Sequence, residues 1–363
     1  MSTAYTNIDD PSKYFQIALW TGNTSAPRSI TNDGNSNLKP DIVWAKNRTT
    51  AGTDHELYNS NMGTGTDANL QPSSTAVQGT GTTYGQLTSF DTDGFTVNAG
   101  GTNDDKFNEN GSEFVAWQWA ANGGTTVTNN DGAVTSTVQA NQTAGISVLT
   151  YTMNSNSNET VGHGLGVAPD VVITKARERG DSNGFWALYT TKYDSSLDYL
   201  KINNTDAKSN SSLGAPTSTV FTGAGSSNAT YRSFFAFCFA QKQGYSRFNF
   251  YRGNGQANGP VVHTGFRPRF VMMREIGSSG SGNSWWVFDR ARDPVNTAEK
   301  RLAWNAGSEE KTGSFTNVID FLSNGFKLRN SDSAWNRSGG DYFYMAFAEH
   351  PFVTSGGAPT TAV

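Results

Sequence analysis

The residues with which this chain could do chemistry are four histidines, a scatter of carboxylates and a set of tryptophans. The histidines are His55, His163, His263 and His350. None sits in a His-Glu-X-X-His zinc signature, and the chain has no Gly-X-Ser-X-Gly nucleophile elbow and no phosphate loop. His163 and His263 each stand shortly before a proline-led strand, where a loop histidine bonded to backbone is the expected role. Sugar cleavage needs two carboxylates facing one another across a ring. Asp104, Asp105, Glu109 and Glu113, or Glu309 and Glu310, are the candidates, and neither set recurs along the chain. Asp104, Asp105 and Glu109, with Asn103 and Asn108 beside them, also offer hard oxygen ligands for calcium. Their spacing does not match the EF-hand loop, and solvated turn residues would look the same.

Sugar binding without cleavage needs aromatic faces. Trp285, Trp286 and Trp335 are the candidates for a ligand platform. Adjacent tryptophans on a strand point to opposite sides, so one enters a core and the other is covered by a neighbour or left exposed. Trp20, Trp44, Trp117 and Trp119 read as core. Arg290, Arg292, Lys300 and Arg301 are interleaved with Asp289, Asp293 and Glu299, a mixed-sign cluster suited to salt bridges and not to a nucleic-acid stripe.

The elements that position these residues repeat three times. A closing strand reads Phe114-Val115-Ala116-Trp117-Gln118-Trp119, then Phe234-Phe235-Ala236-Phe237-Cys238-Phe239, then Tyr342-Phe343-Tyr344-Met345-Ala346-Phe347. With Trp119, Phe239 and Phe347 aligned, one alternate set is large in every copy, the pattern of a strand with one face in a core. A proline-led strand also recurs: Pro40 to Lys46, Pro169 to Lys175 and Pro268 to Arg274. Proline belongs at a strand's first residue, and the terminal basic residue is expected at the sheet rim. Opening strands start near Tyr14, Ile146 and Phe248. Asp93-Gly94 and Asn324-Gly325 mark a hairpin before the first and third closing strands. The second copy keeps only a rough echo at Val220-Phe221-Thr222-Gly223.

Composition agrees. Charged residues make up 16% and the chain holds 39 glycines, which suits an all-β protein with many turns. The one cysteine, Cys238, excludes an intrachain disulfide and reads as a buried thiol. No apolar run is long enough to span a membrane, so no membrane insertion is expected. Met1-Ser2-Thr3-Ala4-Tyr5 lacks the basic and apolar regions of a signal peptide, so folding in a reducing cytoplasm is expected.

Several stretches resemble a domain of unknown function that recurs in virion proteins of marine tailed phages. They are Gly162 to Asp170, Thr264 to Pro268, Phe288 to Pro294, Ile319 to Leu328 and Tyr344 to Phe352. That domain occurs in tail-fibre-like proteins and is held to be concanavalin- or lectin-like. The resemblance implies a place on a virion and a structural or binding role, and it carries no catalytic residue.

The expected fold is all-β, with three tandem antiparallel β-sandwiches of lectin-like type. Their bounds are an arm over 1–12, sandwiches over 13–122, 144–243 and 244–353, a linker over 123–143 and a tail over 354–363. The expected function is an exterior structural protein, a tail fibre or capsid decoration that acts by assembly. The alternative is recognition of host-surface glycan, with a glycan depolymerase as a third reading. No enzyme activity and no cofactor are expected, calcium being the one metal that the sequence could hold. The expected partners are other virion proteins, further copies of the chain and host glycan, with no nucleic acid.

Overall fold

A computed structural model describes residues 5–79, 84–100, 105–225, 228–277, 283–313 and 317–359. Its described elements are antiparallel sheets with a few short helical turns.

Each repeat builds its larger sheet in one order: opening, closing, proline-led, aromatic strand. In the first repeat these are Phe15–Thr21, Glu113–Trp119, Ile42–Asn47 and Glu56–Asn59. In the second they are Ile146–Thr152, Ser233–Phe239, Val171–Ala176 and Ala187–Thr190. In the third they are Ser246–Arg252, Asp341–Pro351, Phe266–Glu275 and Trp286–Asp289. The register is shared too: Ile42 faces Trp119, Val171 faces Phe239 and Phe270 faces Phe347.

A smaller sheet covers the outside of each repeat. The first uses Arg28–Ile30, Gly94–Asn98 and Gln86–Asp91, and the third uses Val261–His263, Gly325–Leu328 and Ile319–Leu322. The turn glycines are required by the adjacent strand. A Cβ on Gly94 would lie 2.0 Å from the Ile30 carbonyl oxygen, and one on Gly325 would lie 2.1 Å from that of Val262. In the second repeat, among the described residues, the smaller sheet is the pair Glu159–Gly162 and Val220–Gly223.

The repeats do not form sandwiches in a row with separate cores. The large alternate residues of all three closing strands point into one central core. Trp119, Phe239 and Phe347, aligned by sequence, meet in a triangle with ring centroids 6.5, 5.6 and 6.0 Å apart. A pseudo-threefold axis therefore runs through the middle of the chain. Each large side chain buried there contributes about 1.5–3 kcal/mol. A second, smaller core lies between the two sheets of each repeat.

Backbone hydrogen bonds close the ring. Gln78 N–H donates to the Arg177 carbonyl at 2.8 Å, Lys208 N–H to Ile276 at 2.9 Å and Glu310 N–H to Arg48 at 2.7 Å. The three acceptors each stand two residues after the basic residue of a proline-led strand, and the last bond returns the third repeat to the first. Residues 123–143, expected as a linker, instead supply Val127–Asn129 and Ser136–Asn141, which extend the second repeat's larger sheet. The arm is tied down where the Tyr5 hydroxyl donates to Gly265 O at 2.7 Å and Asp9 accepts from Ser355 N–H at 2.6 Å.

Candidate functional site

The tryptophans singled out by sequence do not form an open platform. Trp285 lies two residues ahead of Val287, as Trp186 and His55 lie ahead of Leu188 and Leu57, and all three point toward the axis and are fully buried. Its Nε1 donates to Lys201 O at 2.8 Å. Trp335 sits on the short helix Ser333–Asn336, which Asp332 caps by accepting from Ala334 N–H at 2.8 Å. Its ring is buried edge-on against Trp286 at 6.3 Å and Phe288 at 6.2 Å. Trp286 takes the opposite face from Trp285 and is half-buried beneath the Arg301 guanidinium.

Of the calcium candidates, Asp104 lies outside the described residues. Glu109 accepts at Oε2 from Ser112 Oγ at 2.6 Å, Thr50 Oγ1 at 2.7 Å and Asn47 Nδ2 at 3.4 Å. The Ser112 and Thr50 bonds hold its carboxyl below the ordinary range. The Asp105 carbonyl accepts from Asn47 Nδ2 at 2.6 Å. Among the described residues no group of three His, Cys, Asp or Glu side chains is placed to hold a metal ion.

The charged cluster is a seam. Glu310 bridges Arg48 at 2.8 Å and Arg292 at 2.9 Å, and Arg292 also pairs with Asp289 at 2.6 Å. Burial opposes ionisation of Glu310, but the hydrogen bond from Arg48 and the charge of Arg292 hold its carboxyl below the ordinary range. His163 accepts from Leu165 N–H at Nδ1 and contacts Thr217 O at Nε2, the backbone-bonded loop role expected of it.

The open site lies elsewhere, on the outer face of the second repeat. Among the described residues, the third strand of the smaller sheet in the other repeats has no counterpart there. Asp198–Lys201 is not that strand displaced: it pairs Leu200 with Leu188 at the edge of the larger sheet, where Leu302 meets Val287 and Leu70 meets Leu57 in the other repeats. The uncovered face holds a cleft of about 370 Å³ lined by Phe185, Tyr189, Tyr231, Phe234, Arg179 and Asn183, among others. Register shows what has been uncovered. Phe234 is half-buried, whereas its counterparts Phe114 and Tyr342 are fully buried. Tyr189 is half-buried, whereas Tyr58 and Phe288 are buried. Phe185 stacks on Tyr199 at 6.2 Å, and Tyr199 lies 5.9 Å from Tyr189.

Charge is placed at the edge of this aromatic row. The Arg179 guanidinium lies 5.1 Å over the Tyr231 ring and pairs with Asp181 at 2.8 Å. The Lys201 ammonium lies 4.8 Å over Phe185 and pairs with Asp206 at 2.7 Å. Burial pushes the Tyr189 hydroxyl up to about 12, so it remains a protonated donor at neutral pH. Apolar ring faces with a few polar groups at the margin can hold a ligand that is flat and apolar on one side and hydroxylated at its edge. By contrast, the space left at the axis is about 10 Å³, too small for a ligand.

Sequence reasoning passed over the cleft because it weighed tryptophans alone. The signal was present in the weak hairpin echo at Val220 to Gly223, which marks the repeat that lost its covering strand.

A family model described as a domain of unknown function (DUF7483) matches residues 10–351, and the chain belongs to that family. The match runs through all three repeats, in keeping with their shared core. Neither a curated protein nor a solved structure matches the chain.

Proposed function

We propose that the protein is a non-catalytic structural component of the exterior of a phage particle, and that it recognises host-surface glycan through the cleft of its second repeat. The observation that carries the recognition role is the open row of Phe185, Tyr199, Tyr189, Phe234 and Tyr231 on a face that is sealed in the other two repeats. Sugars offer C–H faces to aromatic rings and hydroxyls to edge donors and acceptors, which this row and its margin supply. The virion setting rests on the sequence resemblance to phage structural proteins.

The polarity of the body supports the pairing of assembly with display. Opening and proline-led strands begin beside the triangle of Trp119, Phe239 and Phe347, and the arm and tail are tied at that end. Phe234, Tyr231 and Arg179 lie toward the opposite end of the second repeat's strands. One end is thereby suited to docking and the other to contact with a host.

The test is a glycan array of host surface polysaccharides, followed by titration of the full chain and of Tyr189→Ala and Phe234→Ala. Removing one stacking ring is expected to weaken binding by about tenfold, from the ~0.5–1.5 kcal/mol of a ring pair and the added loss of buried area. No reducing sugar should appear on incubation. A folded wild-type chain that binds no host glycan, or binding that both variants leave intact, overturns the proposal.

A further inference from the structure

We infer that the first repeat forms an intramolecular isopeptide bond, in which the side-chain nitrogen of Lys106 is joined to the side-chain carbonyl carbon of Asn69 with Glu56 as the acid–base catalyst. The inference stands apart from the glycan reading and concerns the interior of a different repeat.

Strand register brings the three side chains together. Leu57 and Leu70 form an antiparallel bridge, with Leu57 N–H donating to Leu70 O at 2.8 Å and Leu70 N–H to Leu57 O at 2.9 Å. Both leucines face the central core, so their chain neighbours Glu56, Tyr58, Asn69 and Gln71 turn to the other side. There Asn69 Nδ2 donates to Glu56 Oε2 at 2.8 Å, and Gln71 Nε2 donates to Glu56 Oε1 at 3.1 Å. Lys106 brings its Nζ to the same Oε1. One carboxylate thereby holds an amine on one oxygen and a primary amide on the other.

The setting is dry. Glu56, Asn69 and Lys106 are all buried, and Asn69 Oδ1 has no hydrogen-bond partner. Tyr58 and Phe107 enclose them with rings 6.0 Å apart, and Ala68 and Leu87 belong to the same core. The fold does not call for an acid here: the register position of Glu56 holds Ala187 in the second repeat and Trp286 in the third. A buried ion pair is a weak source of stability, since desolvation offsets most of its attraction. A lysine, a carboxylate and an asparagine amide enclosed together are, however, the groups that amide exchange between side chains requires.

The step balances without any further reactant. Burial raises the Glu56 carboxyl above its ordinary range, so it can take a proton from the Lys106 ammonium and leave a neutral amine. The Nζ lone pair attacks Asn69 Cγ, and the carbonyl electron pair moves onto Oδ1. Glu56 passes its proton to Nδ2, with which it already shares a hydrogen bond, and takes the second proton from Nζ. The electron pair returns from Oδ1, the Cγ–Nδ2 bond breaks and Nδ2 leaves as ammonia. An Nζ–Cγ amide replaces one amine and one primary amide. Holding both reactants on one carboxylate supplies the proximity that the reaction needs. Gln71 is the competing amide, but its Oε1 already accepts from Ser74 Oγ at 3.4 Å. The bond ties the strand at Leu70 to the segment leading into the closing strand, and it restricts the unfolded chain as any cross-link does.

The test is mass spectrometry of the full wild-type chain, purified folded and then denatured, as intact mass and as a peptide map. The chain is expected to be lighter than its sequence by one ammonia and to yield a branched peptide that joins Lys106 to Asn69. Lys106→Arg keeps a cation beside Glu56 but offers no amine nucleophile, and Glu56→Gln removes the proton carrier. Both are expected at the full mass of their sequences, with Lys106→Arg melting at a lower temperature than wild type. A wild-type chain at full sequence mass overturns the inference, and this reading depends on no variant's folding. Ammonia loss that maps to a backbone succinimide, a branch at Gln71 in place of Asn69, or a Lys106–Asn69 branch that Glu56→Gln still forms also overturns it.

Discussion

At the scale of the residue, the least expected finding is the burial of Lys46, Lys175 and Arg274 at equivalent positions. These strand-end cations are expected at the sheet rim, and the structure buries them there. Strand alternation accounts for the burial, since Lys46 is two residues from Trp44 and shares its inward face. Lys175 Nζ donates to Ala176 O at 2.9 Å and Arg179 O at 2.7 Å, and reaches Thr75 O of the first repeat at 3.3 Å. Arg274 donates to Lys201 O, Asn204 O and Asp206 O of the second repeat. Burial depresses both lysines to about 8 from 10.5. Above pH 8 the native state releases protons that the unfolded chain retains up to 10.5, so stability should rise with pH in that window. The gain is about 1–3 kcal/mol per lysine. Urea unfolding at pH 7.5 and 9.5 checks this, with Lys46→Met and Lys175→Met expected to flatten the rise. Stability that falls steadily across the window would contradict it. His55 works at the acid side. Its Nδ1 accepts from Trp44 Nε1 at 3.0 Å, which fixes the neutral ring with its proton on Nε2, facing Ala303 O at 3.0 Å. Burial holds its pKa well below 6.5. As pH falls below 6.5 the unfolded chain takes up a proton that the native ring refuses, so His55→Gln is expected to lessen the loss of stability between pH 6.5 and 5 in the same assay.

At the scale of the element, the closing strand was the most legible part of the chain. Its alternation named Trp119, Phe239 and Phe347 as equivalents, and the structure joins them. The proline-led strands and the Asp-Gly and Asn-Gly hairpins were legible for the same reason, because local backbone rules set them. Pairing between repeats was not legible, since it depends on contacts far apart in sequence. The Arg48–Glu310–Arg292 bridge shows why: Arg48 and Glu310 are separated by most of the chain and sit in a mixed-sign sequence that any surface loop could carry. Glu310→Ala leaves two arginines buried without their shared carboxylate, and a loss of about 3–5 kcal/mol is expected. Thermal and urea unfolding measure it, and a loss below about 1 kcal/mol would make the bridge an ordinary surface pair. The candidate site was half legible. The missing hairpin strand of the second repeat could be seen in sequence. The half-exposure of Phe234 and Tyr189 could not, because their counterparts Phe114, Tyr342, Tyr58 and Phe288 are equally aromatic and are buried.

At the scale of the whole molecule, three sequence repeats become one body whose axis is packed with side chains from each. In two of the repeats the smaller sheet has a third strand, and the face of the middle one is open. A rigid ring is a suitable carrier for one recognition cleft, because the cleft's walls are fixed from behind by a core that the other repeats share. The claim on which this depends is that the repeats do not fold independently. Differential scanning calorimetry of the full chain tests it most directly. One transition is expected, with the calorimetric enthalpy equal to the van't Hoff enthalpy, and Phe347→Ala should shift that whole transition downward by about 3–5 kcal/mol of stability. Separate transitions for separate repeats, with Phe347→Ala moving only one of them, would contradict the account.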